Sequence, residues 1–98
     1  MLKKILLLLL TVGFVSANTP KVILITGTAY GIGRSTAEYL LDKGHIVYGG
    51  DILVDENLYL NDIGGIAIEM DVTNQEHVDN AISKIIAEQG RIDVLVNN

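Results

Sequence analysis

The segment Thr26-Gly27-Thr28-Ala29-Tyr30-Gly31-Ile32-Gly33 joins a short β-branched run to a helix-like run, which is where a phosphate-binding turn belongs in an α/β nucleotide-binding fold. Its chemistry is carried by backbone. Gly27 permits a tight bend out of the strand, while Gly31 and Gly33 let the chain approach a pyrophosphate and pack the helix on the sheet. The helix start at Ile32 then offers free N–H groups and a positive dipole end to the phosphate charge. Glycines at this spacing also serve as plain turn formers, so the turn gains its meaning from the residues downstream.

The first of these is acidic. Asp51 lies eighteen residues beyond Gly33 at the end of a second apolar run, close to the spacing at which a carboxylate bonds the adenosine ribose hydroxyls of a dinucleotide. That charge would repel the 2′-phosphate of NADP, and no Lys or Arg occurs between Lys43 and Lys84 to hold it. NAD is therefore favoured, with Arg34 at the helix start the one cation near enough to reach round. Elsewhere the sequence is less suggestive. His45 and His77 are far apart and the chain has no cysteine, so no metal-ligand set is read.

The elements that must position these residues alternate between short β-branched runs and longer amphipathic segments, the pattern of a parallel sheet with crossover helices. The pattern predicts strands at 22–26, 46–51, 66–70 and 94–97. A first helix spans 32–43, with Ile32, Tyr39 and Leu40 facing inward, and ends at Gly44. Residues 52–65 read as a surface connection with at most one short helix. Thr73 and Glu76 form a capping box for a second long helix, whose core-facing stripe is Val78, Ala81, Ile82, Ile85 and Ile86, stopped by Gly90. The fold class is α/β: about four strands of a doubly wound parallel sheet, a partial Rossmann arrangement at 18–98 truncated before a fifth strand.

Composition sets outer bounds. A chain of 98 residues, 49% hydrophobic and 19% charged, is ordinary globular material for one small domain. A net charge of −5 without any basic block argues against nucleic-acid partners. Residues 1–17 differ from the rest, with Lys3-Lys4, an apolar stretch at 5–15 and small residues up to Ala17. That order is that of a secretory signal peptide, and the stretch falls short of the roughly 20 residues a spanning helix needs. A cleaved leader implies export to a periplasmic or extracellular space. An uncleaved one implies a membrane anchor, and a cytoplasmic location is the remaining alternative.

Taken together, Thr26-Gly27-x-x-x-Gly31-Ile32-Gly33, Asp51, Asp71-Val72-Thr73 and Arg91-Ile92-Asp93-Val94-Leu95-Val96-Asn97-Asn98 resemble the classical short-chain dehydrogenase/reductase family, in order and spacing, from Lys21 onward. The resemblance implies cofactor contacts from Gly27, Tyr30, Gly31, Ile32, Gly33, Asp51 and its neighbour Ile52. Asp71 would accept a hydrogen bond from the adenine amino group, with Val72 packing on the ring. Asn97 and Asn98 resemble the start of the family's Asn-Asn-Ala-Gly segment, which lies along the cofactor. Tyr30 stands where the family usually has a small or polar residue.

The implied activity is hydride transfer between a nicotinamide and an alcohol or carbonyl substrate, by a serine, a tyrosine and a lysine beyond a fifth strand. None of those positions falls in this sequence, so no catalytic residue is assigned. Tyr39 and Lys43 share the Tyr-x-x-x-Lys spacing, but they sit on the helix after the glycine turn and read as a core tyrosine and a surface lysine. The last strand reads as a bare apolar edge open to pairing. The alternatives are a catalytically inactive nucleotide-binding module and a non-functional gene fragment.

Overall fold

Five consecutive buried residues, Val22–Thr26, form the central strand β1, and a strand buried on both faces reads as a nearly continuous apolar run. The computed structural model describes residues 19–98, so the leader expected at 1–17 lies outside the described residues. From β1 the chain runs through helix α1 (Gly31–Asp42), strand β2 (Ile46–Asp51), helical turns α2 (Val54–Asn57) and α3 (Tyr59–Asp62), strand β3 (Ile66–Glu69), helix α4 (Gln75–Gln89) and strand β4 (Val94–Val96). The strands pair in parallel in the order β3-β2-β1-β4. This is a Rossmann-like half-sheet, and its strand order reverses beside β1, so that a crevice opens at the carboxyl ends of β1 and its neighbours.

Side-chain alternation along β1 feeds two cores. Ile23 and Ile25 pack with Ala37, Val47 and Leu60, while Val22 and Leu24 pack on the other face with Tyr48 and Ile85. Tyr48 is fully buried, yet its hydroxyl reaches Glu88 Oε1 at 2.8 Å and accepts from Gln89 Nε2 at 3.2 Å, which ties β2 to the end of α4. Burial pushes the Tyr48 phenol up, and the same hydroxyl holds the Glu88 carboxyl below its ordinary value.

Several expectations are corrected. In α1 the residues against the sheet are Gly33 and Ala37, with Leu40 and Leu41 packed on the same core. Ile32 is 79% exposed and Tyr39 60% exposed. Small residues four apart let α1 sit close to the sheet, and Tyr39, two positions on from Ala37, is carried about 200° round the helix. Tyr39 is thus no core residue, and Lys43 Nζ lies 5.4 Å from its ring centroid.

The connection at 52–65 holds two helical turns rather than one, because Asn57 and Leu60 are drawn into the interior. The capping box is also displaced. Asn74, not Thr73, caps α4 by accepting from His77 N–H at 3.3 Å, since the Thr73 hydroxyl is spent on Asp71 Oδ1 at 2.6 Å. Of the α4 stripe, Ala81 and Ile85 are buried, whereas Ile82 and Ile86 are exposed. Among the described residues β4 pairs only with β1, and Val94 and Leu95 are exposed at the sheet edge. No helix among the described residues is long and apolar enough to cross a membrane.

A reciprocal bond fixes β4 against β1. Val22 N–H donates to Asp93 Oδ2 at 2.7 Å while Asp93 N–H donates to Val22 O at 2.8 Å, and Arg91 Nε donates to the same carboxylate oxygen at 3.0 Å. The Val22 amide, then the Arg91 guanidinium, hold the Asp93 carboxyl below the usual carboxylate range. A depressed folded value means that the stabilisation is present above the unfolded value of about 4 and is lost as pH falls through the folded one. Asp93→Asn is expected to lower the melting temperature at pH 7 and to flatten the loss of stability below about pH 4, which thermal melts across pH 2 to 7 would check; parallel melting curves for parent and variant would contradict it.

A candidate dinucleotide-binding site at the strand ends

Packing is close where β1 gives way to α1. Gly27 has φ +73° and Gly31 φ +61°, values that L side chains rarely adopt. At Gly33 the constraint is space: a Cβ there would collide with the Gly27 carbonyl and lie 2.7 Å from Asn98 Nδ2. The turn thus folds back on the helix start with no room for a methyl group. Tyr30 forms the N-cap without a side-chain capping bond, and Arg34 N–H to Tyr30 O, at 3.3 Å, is the first bond of the helix. The amides of Gly31, Ile32 and Gly33 precede it and have no carbonyl of the helix to bond.

The chain end at Asn98 closes on the same turn. Its backbone N–H donates to Thr26 Oγ1 at 2.9 Å and its side-chain amide to Gly27 O at 3.2 Å, while Asn97 Oδ1 lies 3.4 Å from the Thr26 hydroxyl. Thr26 was not among the residues singled out, although it opens the turn motif.

Two carboxylates stand at the lip, each placed by the same local device. Asp51 Oδ1 accepts Leu53 N–H at 2.9 Å, and Asp71 Oδ1 accepts Thr73 N–H at 2.9 Å, so each side chain caps the backbone two residues on. Asp51 Oδ2 also accepts Ala29 N–H at 2.9 Å, which ties the end of β2 to the turn. Each Asp51 oxygen retains a lone pair for a further donor, whereas Asp71 Oδ1 is filled by the amide and hydroxyl of Thr73 and Asp71 Oδ2 is the oxygen left to accept. The Thr73 hydroxyl, then its amide, hold the Asp71 carboxyl below its ordinary range, so it is an ionised acceptor at neutral pH. His77 Nδ1 accepts Asp71 N–H at 3.1 Å, so that histidine helps to place Asp71.

A cleft of about 170 Å³ gathers Thr26, Gly27, Gly50, Asp51, Ile52, Met70, Asp71, Val72 and Asn98. Gly50 and Met70 are, after Thr26, the other two lining residues missed by sequence reading; Gly50 makes room for Met70, since a Cβ there would lie 2.7 Å from Met70 Cε. Six of the residues singled out from sequence meet in this cleft: Gly27, Asp51, Ile52, Asp71, Val72 and Asn98. Gly31, Ile32 and Gly33 lie on the adjoining helix start, Tyr30 is an exposed cap, and Asn97 sits behind Thr26. Two larger concavities flank α1. One, of about 610 Å³, sets Glu38, Asp42 and Asp62 against a single cation, Arg34, and so disfavours a pyrophosphate; the other, of about 870 Å³, is a shallow apolar face along Ile32, Thr36 and Tyr39. Among the described residues no group of three or more His, Cys, Asp or Glu could hold a metal ion.

A Rossmann-like half-sheet with a glycine turn at its switch point and an acidic strand end beside it defines a dinucleotide-binding class of protein. The sequence matches the model of the short chain dehydrogenase family over residues 21–98, and the chain belongs to that family. It is 48% identical over 80 residues to a 3-ketodihydrosphingosine reductase of Bacteroides thetaiotaomicron, covering 81% of this chain and 28% of that protein. The structure superposes on a short-chain dehydrogenase from Streptomyces avermitilis with TM-score 0.74 and 35% identity, covering 82% of this chain and 30% of that one. It also superposes on a Brucella melitensis 3-ketoacyl-(acyl-carrier-protein) reductase complexed with NADH, with TM-score 0.72 and 28% identity, covering 76% and 32% respectively. The chain thus spans less than a third of the length of these relatives.

The family uses nicotinamide dinucleotides, and the residues present fit such a group: a turn closed too tightly for any side chain at Gly33, unpaired helix-start amides beside it, and carboxylate acceptors at the lip. Gly33→Ala is expected to cost about 1–3 kcal/mol through forced displacement of the Gly27 carbonyl, measured by denaturant unfolding. An unchanged midpoint would contradict the close approach described.

Proposed function

We propose that this chain is the cofactor-binding part of an NAD-dependent oxidoreductase that moves hydride between the nicotinamide and an alcohol or carbonyl carbon. The observation that carries the reading is Asp51, an acceptor at the carboxyl end of β2, braced by Ala29 and Leu53 N–H groups and open to the cleft. A vicinal diol on an adenosine ribose offers two donors to such a carboxylate, whereas a 2′-phosphate would bring a second negative charge against it. Arg34, the cation that could have compensated, is engaged elsewhere: its Nε donates to Glu38 Oε1 at 2.8 Å and its guanidinium lies 3.9 Å over the Tyr59 ring.

The bound nicotinamide would supply the hydride acceptor or donor. The residues of this chain bind and orient. The helix-start amides of α1 face the pyrophosphate charge, Asp51 the ribose, and Asp71 the adenine amino group, with Val72 against the ring. Asn98, bonded to Gly27 O, holds the end of β4 beside the turn. Proton transfer at the substrate is assigned to no residue here. Tyr39 and Lys43 lie at the far end of α1 from the turn, and their contact is a cation–ring packing on an exposed face. The names of the two reductases above, both for 3-keto compounds, support a ketone or secondary alcohol as substrate class.

A second reading is favoured by the exposed edge of β4, where Val94 and Leu95 leave backbone donors and acceptors for another strand. On that reading the chain is an inactive nucleotide-binding module that pairs through β4. The basic and apolar order of residues 1–17 supports export, which N-terminal sequencing of the native product would test.

Titration calorimetry with NAD and NADP tests the main reading. NAD is expected to bind at least about tenfold tighter, since a like-charge juxtaposition costs several kcal/mol. Asp51→Ala is expected to narrow that preference. Equal affinities in the parent protein, or tighter binding of NADP, would overturn the NAD assignment.

A further inference from the structure

Thr28 and Asn57 are 0% and 1% exposed, and neither lines the cofactor cleft. Burying a hydroxyl against a primary amide is costly unless their polar atoms are paired. Here they are. Thr28 Oγ1 donates to Asn57 Oδ1 at 2.7 Å, twenty-nine residues away in sequence, and Asn57 Nδ2 donates to Gly49 O at 2.9 Å. Strand β2 yields space for this contact, because a Cβ on Gly49 would collide with Thr28 Oγ1 and lie 2.9 Å from Thr28 Cβ.

The backbone of the same residue is gripped from another side. Tyr59 OH donates to Thr28 O at 2.6 Å. Burial raises the Tyr59 phenol, against the opposing pull of Arg34, so it stays protonated and remains a donor. The next amide, Ala29 N–H, is already committed to Asp51. Two consecutive residues of the glycine turn are therefore held by side chain, carbonyl and amide from β2 and the helical turns after it.

We propose that Asn57 and Tyr59 are positioning residues that latch the glycine turn in its phosphate-accepting shape before the dinucleotide arrives. The latch rests on the reading of this turn as the pyrophosphate cradle. A turn freed from it must be ordered at the moment of binding, which weakens affinity without removing any contact to the ligand. The effect is greatest at the pyrophosphate end, since Asp71 is placed by its own local bonds and Asp51, though it also accepts from Ala29 in the turn, keeps its bond from Leu53 N–H. Asn57→Leu keeps the branched shape but strands the Thr28 hydroxyl and removes the side-chain donor to Gly49 O. Tyr59→Phe keeps the ring under Arg34 and removes only the donor.

The test compares parent, Asn57→Leu and Tyr59→Phe by amide hydrogen exchange without cofactor, and by titration with NAD and with adenosine. The hydrogen-bonded turn amides, those of Gly27 and Ala29, are expected to exchange faster in both variants while those of β1 do not. NAD affinity is expected to fall about tenfold in Asn57→Leu, equivalent to about 1.4 kcal/mol, while adenosine affinity holds. Should Asn57→Leu fail to fold, Tyr59→Phe carries the same comparison. Turn amides as protected as in the parent, or NAD and adenosine weakened in parallel, would overturn the latch alone. A parent protein that takes up no NAD would sink the cofactor reading, and the latch with it.

Discussion

The close approach of Gly33 to the Gly27 carbonyl is the constraint on which the rest of the site depends. It requires the turn after β1 to fold back on the start of α1 with no side chain between Gly27 and Gly33, which sets the unpaired amides of the helix start beside the carboxyl end of the central strand. Everything else at the strand ends is arranged around that fixed turn. Asn98 bonds its carbonyl, Asp51 its third residue from β2, and Asn57 with Tyr59 the residue between. The buried β1, apolar from Val22 to Ile25, supplies the rigid base, since a strand buried on both faces cannot shift register without exposing one of its two cores.

The distribution of charge obeys the same geometry. Backbone N–H groups provide the positive character at the turn, and carboxylates provide the negative character at the ends of β2 and β3. A dinucleotide is matched in that order: anionic in the middle, rich in hydroxyl and amino donors at the adenosine end. Asp51 and Asp71 each spend one oxygen on the amide two residues on, which fixes the carboxylate without neutralising it. The two wider concavities along α1 have no such order, which is why size is a poor guide to the site in this molecule.

Sequence was informative where backbone geometry dictates residue type. Glycines at 27, 31 and 33 report positive φ or absent space, and the β-branched run at 22–26 can only be a buried strand, so turn and strand were legible at the residue level. Helix faces were less so. Ile32 and Tyr39 look like core by composition, but Gly33 and Ala37 decide which side of α1 lies on the sheet, and small residues carry little hydrophobic signal. Helices α2 and α3, four residues each, are too short for any periodicity to show. Thr73 was a fair N-cap until Asp71, two residues earlier, claimed its hydroxyl. The Thr28–Asn57 bond was out of reach, because a pair so distant in sequence leaves no local pattern, and Asn57 sits in a run, Asp55-Glu56-Asn57, that reads as surface.

The most direct measurement is an NMR titration of the isotope-labelled protein with NAD, tracking backbone amides. A dinucleotide site at the switch point predicts saturable shifts concentrated at residues 27–33, 51–53 and 70–73 and at Asn98, with the C-terminal half of α1 silent. Shifts gathered instead around Glu38, Asp42 and Asp62, or no saturable shift at all, would contradict it.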